Sequence, residues 1–118
     1  MRLLATAQGL YYLATGIWPI LHIDSFQAVT GPKTDLWLVK TVGLLIAVIG
    51  AAVFAARTRP ALSAEMFILA AGSALALGTV DVVYALRGVL SKIYLLDAVP
   101  EAALVAGWSL LWRRRARP

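Results

Sequence analysis

Residues 36–56 read LWLVKTVGLLIAVIGAAVFAA, an apolar run in which Lys40 is the only charged residue. A helix needs about 20 predominantly apolar residues to cross a hydrocarbon core about 30 Å thick. The run has that length, and it shows none of the polar–apolar alternation that is typical of a half-buried strand. Residues 36–56 therefore predict a transmembrane helix.

Three further stretches, 3–23, 66–86 and 93–112, have a similar length and apolar composition. The connections between the four stretches are short, so consecutive helices are expected to be antiparallel. The sequence thus predicts an all-α polytopic membrane protein. Its fold would be a single domain over residues 1–118, an antiparallel four-helix transmembrane bundle.

The predicted connections contain residues that break or cap helices. Gly31-Pro32 is predicted to end local helix within the break 24–35, and Pro60 lies in the break 57–64. Ser63 stands directly before the third stretch, where its hydroxyl can cap a helix N-terminus.

The overall composition excludes several classes of protein. The chain has 118 residues, of which 61% are hydrophobic and 14% charged, whereas about a quarter of the residues of a soluble domain are charged. The chain contains no cysteine and a single histidine, His22, which excludes disulfides, thiolate metal sites and histidine-rich metal or haem sites. We therefore predict neither a metal site nor a cofactor.

The formal net charge of +5 is distributed unevenly in the predicted topology. One side of the membrane carries Arg2, Arg57, Arg59, Arg113, Arg114, Arg115 and Arg117, and the other carries Lys33, Arg87 and Lys92. Because positive residues accumulate in cytoplasmic segments, both termini are predicted to be cytoplasmic. The terminal run WRRRARP is interpreted as an anchor to the lipid bilayer, and no nucleic-acid partner is expected.

The ionisable residues within the predicted spans all lie in the outer half of the membrane, opposite the cytoplasmic side that carries most of the arginines. An embedded charge costs at least about 2.5–3.5 kcal/mol and usually faces a bundle interior or a wet cavity. We therefore predict an outward-facing acidic pocket within the membrane. Its ligand-binding walls would be Trp18, His22, Lys40, Asp81, Tyr84, Tyr94, Asp97 and Glu101.

Helical spacing predicts the direction in which these side chains point. Asp97 and Glu101 are four residues apart and share one helix face. Lys40 shares a face with Gly43 and Ala47, small residues that let membrane helices approach closely, so it is predicted to point toward other helices. One lysine neutralises only one acid of three, so at least one carboxyl is predicted to share a proton at neutral pH.

Other polar residues in the spans have simpler interpretations. Gln8 and Thr15 are predicted to form hydrogen bonds between helices. Pro100 removes a backbone donor and frees the carbonyl of Leu96, which could bind a cation or a water beside the two acids.

The run YYLATGIWPILHIDSF at 11–26, a polar loop with GPK at 31–33 and DLWLVKTVGLL at 35–45 resemble small bacterial membrane proteins grouped as DoxX-like. The resemblance covers the architecture of most of the chain. It implies a four-helix fold in the bacterial inner membrane, and it carries over no site residue.

Three functions are compatible with the sequence. The first is binding or transport of a small cationic or amphipathic ligand, with or without proton coupling, at Asp81, Asp97 and Glu101. The second is a membrane-embedded enzyme, in which these three acids would catalyse isomerisation or epoxide opening of a lipid-like or isoprenoid substrate while Lys40 steadies negative charge. The third is an accessory subunit whose polar groups only pair helices.

Small residues at helical spacing also predict a homodimer. Two such faces stand out, Ala70/Ala74/Gly78 and Ala98/Ala102/Ala106.

Overall fold

The computed structural model describes residues 1–115 and folds them into five α-helices. These are α1 (Arg2–Leu21), α2 (Ile23–Thr30), α3 (Leu36–Ala55), α4 (Ala64–Leu86) and α5 (Tyr94–Arg115), with a 3₁₀ turn at Ala56–Thr58. The predicted all-helical class is confirmed for the described residues. Arg117 of the predicted anchor lies outside them.

Within residues 1–115, three helical segments are long and apolar enough to cross a membrane: Leu36–Thr58, Ala64–Leu86 and Tyr94–Arg115. They indicate a membrane protein. The helix α1 is not among them, although it has the same length of 20 residues as α3. Its hydropathy is lower because Gln8, Tyr11 and Tyr12 take the place of aliphatic side chains.

Local chemistry sets both ends of α4. The Ser63 hydroxyl accepts a hydrogen bond from the Met66 amide at 3.1 Å, so it caps α4 as predicted. Gly88 has a φ of 77°, a left-handed conformation that glycine adopts without steric cost, and it follows the end of α4.

The predicted break at 24–35 contains a helix, α2, which no predicted span covered and which ends at Gly31-Pro32. His22 starts this helix, since its Nδ1 accepts a hydrogen bond from the Ser25 amide at 3.1 Å. Asp24 lies in the first turn, where the helix dipole favours a negative charge. Gly31, with a φ of 99°, ends the helix.

The helices α1 and α3 lie antiparallel with their backbones in direct contact. A Cβ atom added at Gly16 would lie 2.4 Å from the carbonyl oxygen of Gly43, and one at Gly43 would lie 2.5 Å from that of Gly16. Two turns away, a Cβ at Gly50 would lie 2.9 Å from the carbonyl oxygen of Gly9. The four glycines form a seam that admits no side chain.

The helices α4 and α5 form a second antiparallel pair. Phe67 and Trp112 stack at one end with ring centroids 4.7 Å apart. Toward the other end, a Cβ at Gly78 would lie 3.2 Å from the Glu101 Cβ.

A buried polar node joins α1 to this second pair. The Trp108 Nε1 donates to Gln8 Oε1 at 2.7 Å, and Gln8 Nε2 donates to the carbonyl of Ala70 at 2.9 Å. The predicted interhelical role of Gln8 is confirmed. The same prediction is wrong for Thr15, whose hydroxyl donates to the Tyr11 carbonyl of its own helix at 2.8 Å.

The small residues predicted for a dimer face divide into two groups. Ala70 and Ala74 are fully buried inside this chain, so they are not available to a second copy. Ala102 and Ala106 are exposed and line a shallow groove of about 510 Å³ between α4 and α5.

Candidate functional site

A cavity of about 660 Å³ lies between the two helix pairs, and α2 and the segments around it border one end. Its walls are mostly aliphatic and aromatic. The cavity is lined by polar and aromatic side chains from four helices and one connection. They include Tyr11, Tyr12 and Trp18 from α1, Phe26 from α2, Lys33 from the segment after α2, Asp81 from α4, and Tyr94, Asp97 and Glu101 from α5.

Three carboxylates line this cavity at one place. One oxygen from each of Asp81, Asp97 and Glu101 lies within 4.8 Å of the others. Asp81 is 4% exposed and Glu101 is 1% exposed, while Asp97 is half-buried. The missing side chain of Gly78, one turn before Asp81, is what lets α5 bring Glu101 so close to α4. The predicted meeting of these three acids is therefore present in the structure.

Two tyrosine hydroxyls from α1 hold two of the acids. The Tyr12 hydroxyl donates to Glu101 Oε1 at 2.7 Å, and the Tyr11 hydroxyl donates to Asp97 Oδ1. Among the described residues, Asp81 Oδ2 is buried and has no hydrogen-bond partner. The cluster thus combines two oriented carboxylates with one whose oxygen is unsatisfied.

Aromatic rings form the part of the cavity near α2. Trp18 packs edge-on against Phe26 with centroids 5.3 Å apart, and its Nε1 donates to the Ser25 hydroxyl at 2.9 Å. Tyr94 is half-buried and also lines the cavity. The predicted positions of Trp18 and Tyr94 in the wall are therefore present.

Lys33 brings a positive charge to the cavity wall, but its ammonium already has partners. The Nζ atom donates to the carbonyls of Thr30 at 3.1 Å and Gly31 at 2.9 Å. It also lies 5.1 Å from the Tyr94 ring centroid and 5.9 Å from that of Phe26, within the range of cation–π attraction.

Three predicted wall residues do not line the cavity. The prediction that Lys40 points toward other helices is wrong: the side chain is exposed, since it lies near the start of α3 and can extend along the helix toward the interface. His22 is exposed and caps α2 instead. Tyr84 is 40% exposed, because its position on α4 faces away from the cavity.

The sequence contained a signal for the tyrosines but none for Lys33. Tyr11, Thr15 and Trp18 are spaced by four and three residues, which places them on one face of α1. That polar stripe indicates that Tyr11 faces other helices, but it does not say which side chain the hydroxyl meets. Lys33 lies between helices, where no periodicity indicates a direction.

The arrangement can bind a positively charged group. Carboxylates attract cations, aromatic faces attract organic ammonium groups, and aliphatic walls accept an apolar body. The three acids also offer oxygen ligands that the prediction of no metal site did not consider. Comparison of the chain with protein-family models, with curated proteins and with solved structures finds no match.

Proposed function

We propose that this chain is an integral protein of the bacterial inner membrane that binds a small cationic or amphipathic ligand in the cavity between its helix pairs. Four helices, α1, α3, α4 and α5, would span the bilayer as an antiparallel bundle with both termini in the cytoplasm. The observation that carries the proposal is the convergence of Asp81, Asp97 and Glu101 on one cavity.

The case for α1 as a fourth spanning helix rests on its packing. It runs antiparallel to α3 from the Gly16–Gly43 contact to the Gly9–Gly50 contact. Its 20 residues correspond to about 30 Å at 1.5 Å per residue. In the middle of the helix, the polar side chains of Gln8 and Tyr12 are each 1% exposed, so lipid there would meet mainly aliphatic side chains.

The proposed orientation rests on the arginines. Arg57 and Arg59 follow α3, and Arg113, Arg114 and Arg115 end α5, on the side of the bundle where α1 begins. This arrangement supports a cytoplasmic location for that side. The carboxylates then lie in the outer half of the bilayer.

The preference for a cation rests on unequal charges. Three carboxylates line the cavity, whereas Lys33 is the one lysine or arginine of the described chain in its lining. Its ammonium is held by the backbone carbonyls of Thr30 and Gly31. A ligand with a positive group would supply the missing charge, and the apolar walls would accept its hydrocarbon part.

Binding from the outer face is the event that the geometry supports best. On the inner side, the Gln8–Trp108–Ala70 node fills the space between α1, α4 and α5 with fully buried side chains. Transport would require this node to open, so it is a further step beyond binding.

The test is ligand-dependent stabilisation of the purified protein in detergent micelles. With tetraphenylphosphonium as an amphipathic cationic probe, we expect a rise in Tm for the wild type and no rise for the double variant Asp97→Asn, Glu101→Gln. The matched control is Asp24→Asn, since Asp24 is exposed on α2 and does not line the cavity. An equal rise in all three proteins would refute the proposal.

We also propose that two copies associate through the groove beside Ala102 and Ala106. Because the chain contains no cysteine, a single Ala106→Cys substitution can be crosslinked in native membranes without a background. The control is Leu44→Cys on α3, where the side chain is 56% exposed and lies outside the groove. Crosslinked dimer from both variants, or from neither, would contradict this interface.

A further inference from the structure

We infer that Asp81, Asp97 and Glu101 form a binding site for one hard divalent cation of the Mg²⁺, Mn²⁺ or Ca²⁺ class. The inference deepens the proposed function, on which it rests for an accessible cavity, by naming a class of cation that the carboxylates hold.

The spacing of the three carboxylates fits a single ion. Oxygen ligands lie about 2.0–2.6 Å from Mg²⁺ or Ca²⁺, so two oxygens on one ion are at most about 4–5 Å apart. One oxygen from each of the three acids falls within 4.8 Å of the others. Small rotations of Asp97, the half-buried member, would complete the approach.

A second observation points to a ligand independently of the clustering. Asp81 is 96% buried, and its Oδ2 has no hydrogen-bond partner among the described residues. Buried carboxylates in proteins are paired with charges, hydrogen-bonded or bound to metal ions, because an unsatisfied one is costly. Asp81 lines the cavity beside the two other acids, where a bound cation would satisfy an oxygen that has no partner.

The lysines of the chain do not supply that charge at the cluster. Lys33 directs its ammonium to the carbonyls of Thr30 and Gly31 and to aromatic rings. Lys40 is exposed on α3. Lys92 is exposed as well, and Lys33 is the one lysine or arginine within residues 1–115 that lines the cavity. A cation from outside the chain would therefore balance the acids that remain ionised.

The donor set selects the class of ion. All three side chains offer carboxylate oxygens, and neither a histidine nor a cysteine lines the cavity among the described residues. Oxygen-only sets suit Mg²⁺, Ca²⁺ and Mn²⁺, whereas imidazole and thiolate ligands suit Zn²⁺ and Cu⁺. The remaining volume of the cavity has room for the water ligands that Mg²⁺ retains.

The tyrosines of α1 act as positioning residues for this site. Each donates its hydroxyl proton to one oxygen of Asp97 or Glu101, which leaves the other oxygen free for the ion. Hydrogen bonds of this kind orient metal ligands and strengthen binding.

The experiment measures Mn²⁺ binding to the purified full-length chain in micelles by the loss of the free Mn²⁺ EPR signal. We expect one Mn²⁺ per chain, displaced by excess Mg²⁺ or Ca²⁺. Asp81→Asn and Glu101→Gln should each weaken binding by more than about 10-fold, the loss seen even when an outer partner of a metal ligand is removed. Asp24→Asn serves as the charge-matched control, and circular dichroism confirms that each variant is folded.

The outcomes separate this inference from the proposed function. Wild-type protein that binds no Mn²⁺ but is stabilised by tetraphenylphosphonium overturns the inference and leaves the proposed function standing. Mn²⁺ that binds and is lost in Asp81→Asn supports the inference even when tetraphenylphosphonium has no effect. Mn²⁺ bound equally by wild type and both folded cluster variants overturns it.

Discussion

The two helix pairs are both antiparallel, but their contact surfaces are built differently. Between α1 and α3, four glycines bring the backbones together so closely that added Cβ atoms would lie 2.4–2.9 Å from atoms of the other helix. Between α4 and α5, side chains such as those of Phe67 and Trp112 meet instead, and a groove lies beside Ala102 and Ala106. A glycine seam fixes two helices as one wall, whereas a contact made through side chains leaves the two helices more room to adjust.

The two helix pairs contribute different groups to the cavity. The acids lie on α4 and α5, and the hydroxyls that orient two of them come from α1. A wall fixed by glycines holds the hydroxyl donors in place, while the carboxylates face them from the other pair. We infer that the α1–α3 pair sets the geometry and the α4–α5 pair supplies the charge.

The largest effect is expected from a side chain placed in the glycine seam. In Gly43→Ala, the new Cβ would lie 2.5 Å from the Gly16 carbonyl oxygen and 3.2 Å from Pro19 Cγ. Because backbone atoms cannot move aside cheaply, we expect a loss of about 3 kcal/mol in the free energy of unfolding in micelles.

The matched control for the seam is Gly72→Ala on α4, where nothing lies within 4 Å of the new Cβ. Alanine favours a helix over glycine by up to about 1 kcal/mol, so this variant should be slightly more stable than the wild type. Equal stability of the two variants would show that the α1–α3 backbones are not in contact.

The second largest effect is expected at the node that joins α1 to the other pair. Gln8→Leu removes the acceptor of Trp108 Nε1 and the donor to the Ala70 carbonyl, both buried. The Ala70 carbonyl still accepts a hydrogen bond from the Ser73 hydroxyl at 3.2 Å, so Trp108 Nε1 is the group left without its partner. A buried donor in that state costs about 1–3 kcal/mol. We expect a loss of about 2 kcal/mol in the free energy of unfolding.

A double-mutant cycle checks the assignment of the node. Trp108→Phe removes the indole donor, so Gln8→Leu should cost less in that background than in the wild type. Strictly additive losses would mean that Gln8 and Trp108 do not interact.

The boundaries of the long helices could be predicted because local chemistry determines them. The predicted span 36–56 agrees to within one residue with α3, Leu36–Ala55. The Ser63 hydroxyl caps the start of α4, as its position in the sequence suggested. The helix α2 was missed because its start depends on a single histidine cap, and its eight residues lie in a segment marked by Gly31-Pro32. Short helices leave little periodic pattern in a sequence.

The acids of the site could be predicted, but their partners could not. Asp81, Asp97 and Glu101 stand out because charge in an apolar span is costly. The choice of Tyr11 and Tyr12 as donors depends on the rotation of α1 against α5, and the two helices are more than 70 residues apart in the chain. Lys40 was misplaced because the position of Gly43 in the seam says nothing about where a long, flexible side chain ends.

A smaller effect is expected from removing one hydroxyl donor of the rigid wall. Tyr12→Phe deletes the hydrogen bond to Glu101 Oε1 and keeps the ring in place. We expect a loss of about 1 kcal/mol in stability and about a 10-fold weaker affinity for Mn²⁺. The control is Tyr84→Phe on α4, where the residue is 40% exposed and lies outside the cavity, so the change should affect neither quantity. Identical Mn²⁺ affinities in the two variants would contradict the proposal that Tyr12 of α1 positions Glu101 for the ion.

The smallest effect is expected from Lys40→Gln. This variant distinguishes two sources of the charge that balances the acids, Lys40 itself and a bound ion. An exposed side chain outside the cavity has little to lose, so Lys40→Gln should change the free energy of unfolding by no more than about 0.5 kcal/mol. The affinity for Mn²⁺ should also stay unchanged, because an imported cation and not Lys40 neutralises the carboxylates. If Lys40 instead reached the cluster as a partner, its removal would tighten Mn²⁺ binding, since the ion would no longer compete with an ammonium group. A tighter site in Lys40→Gln than in the surface control Lys92→Gln would therefore favour an internal counter-charge over the bound ion.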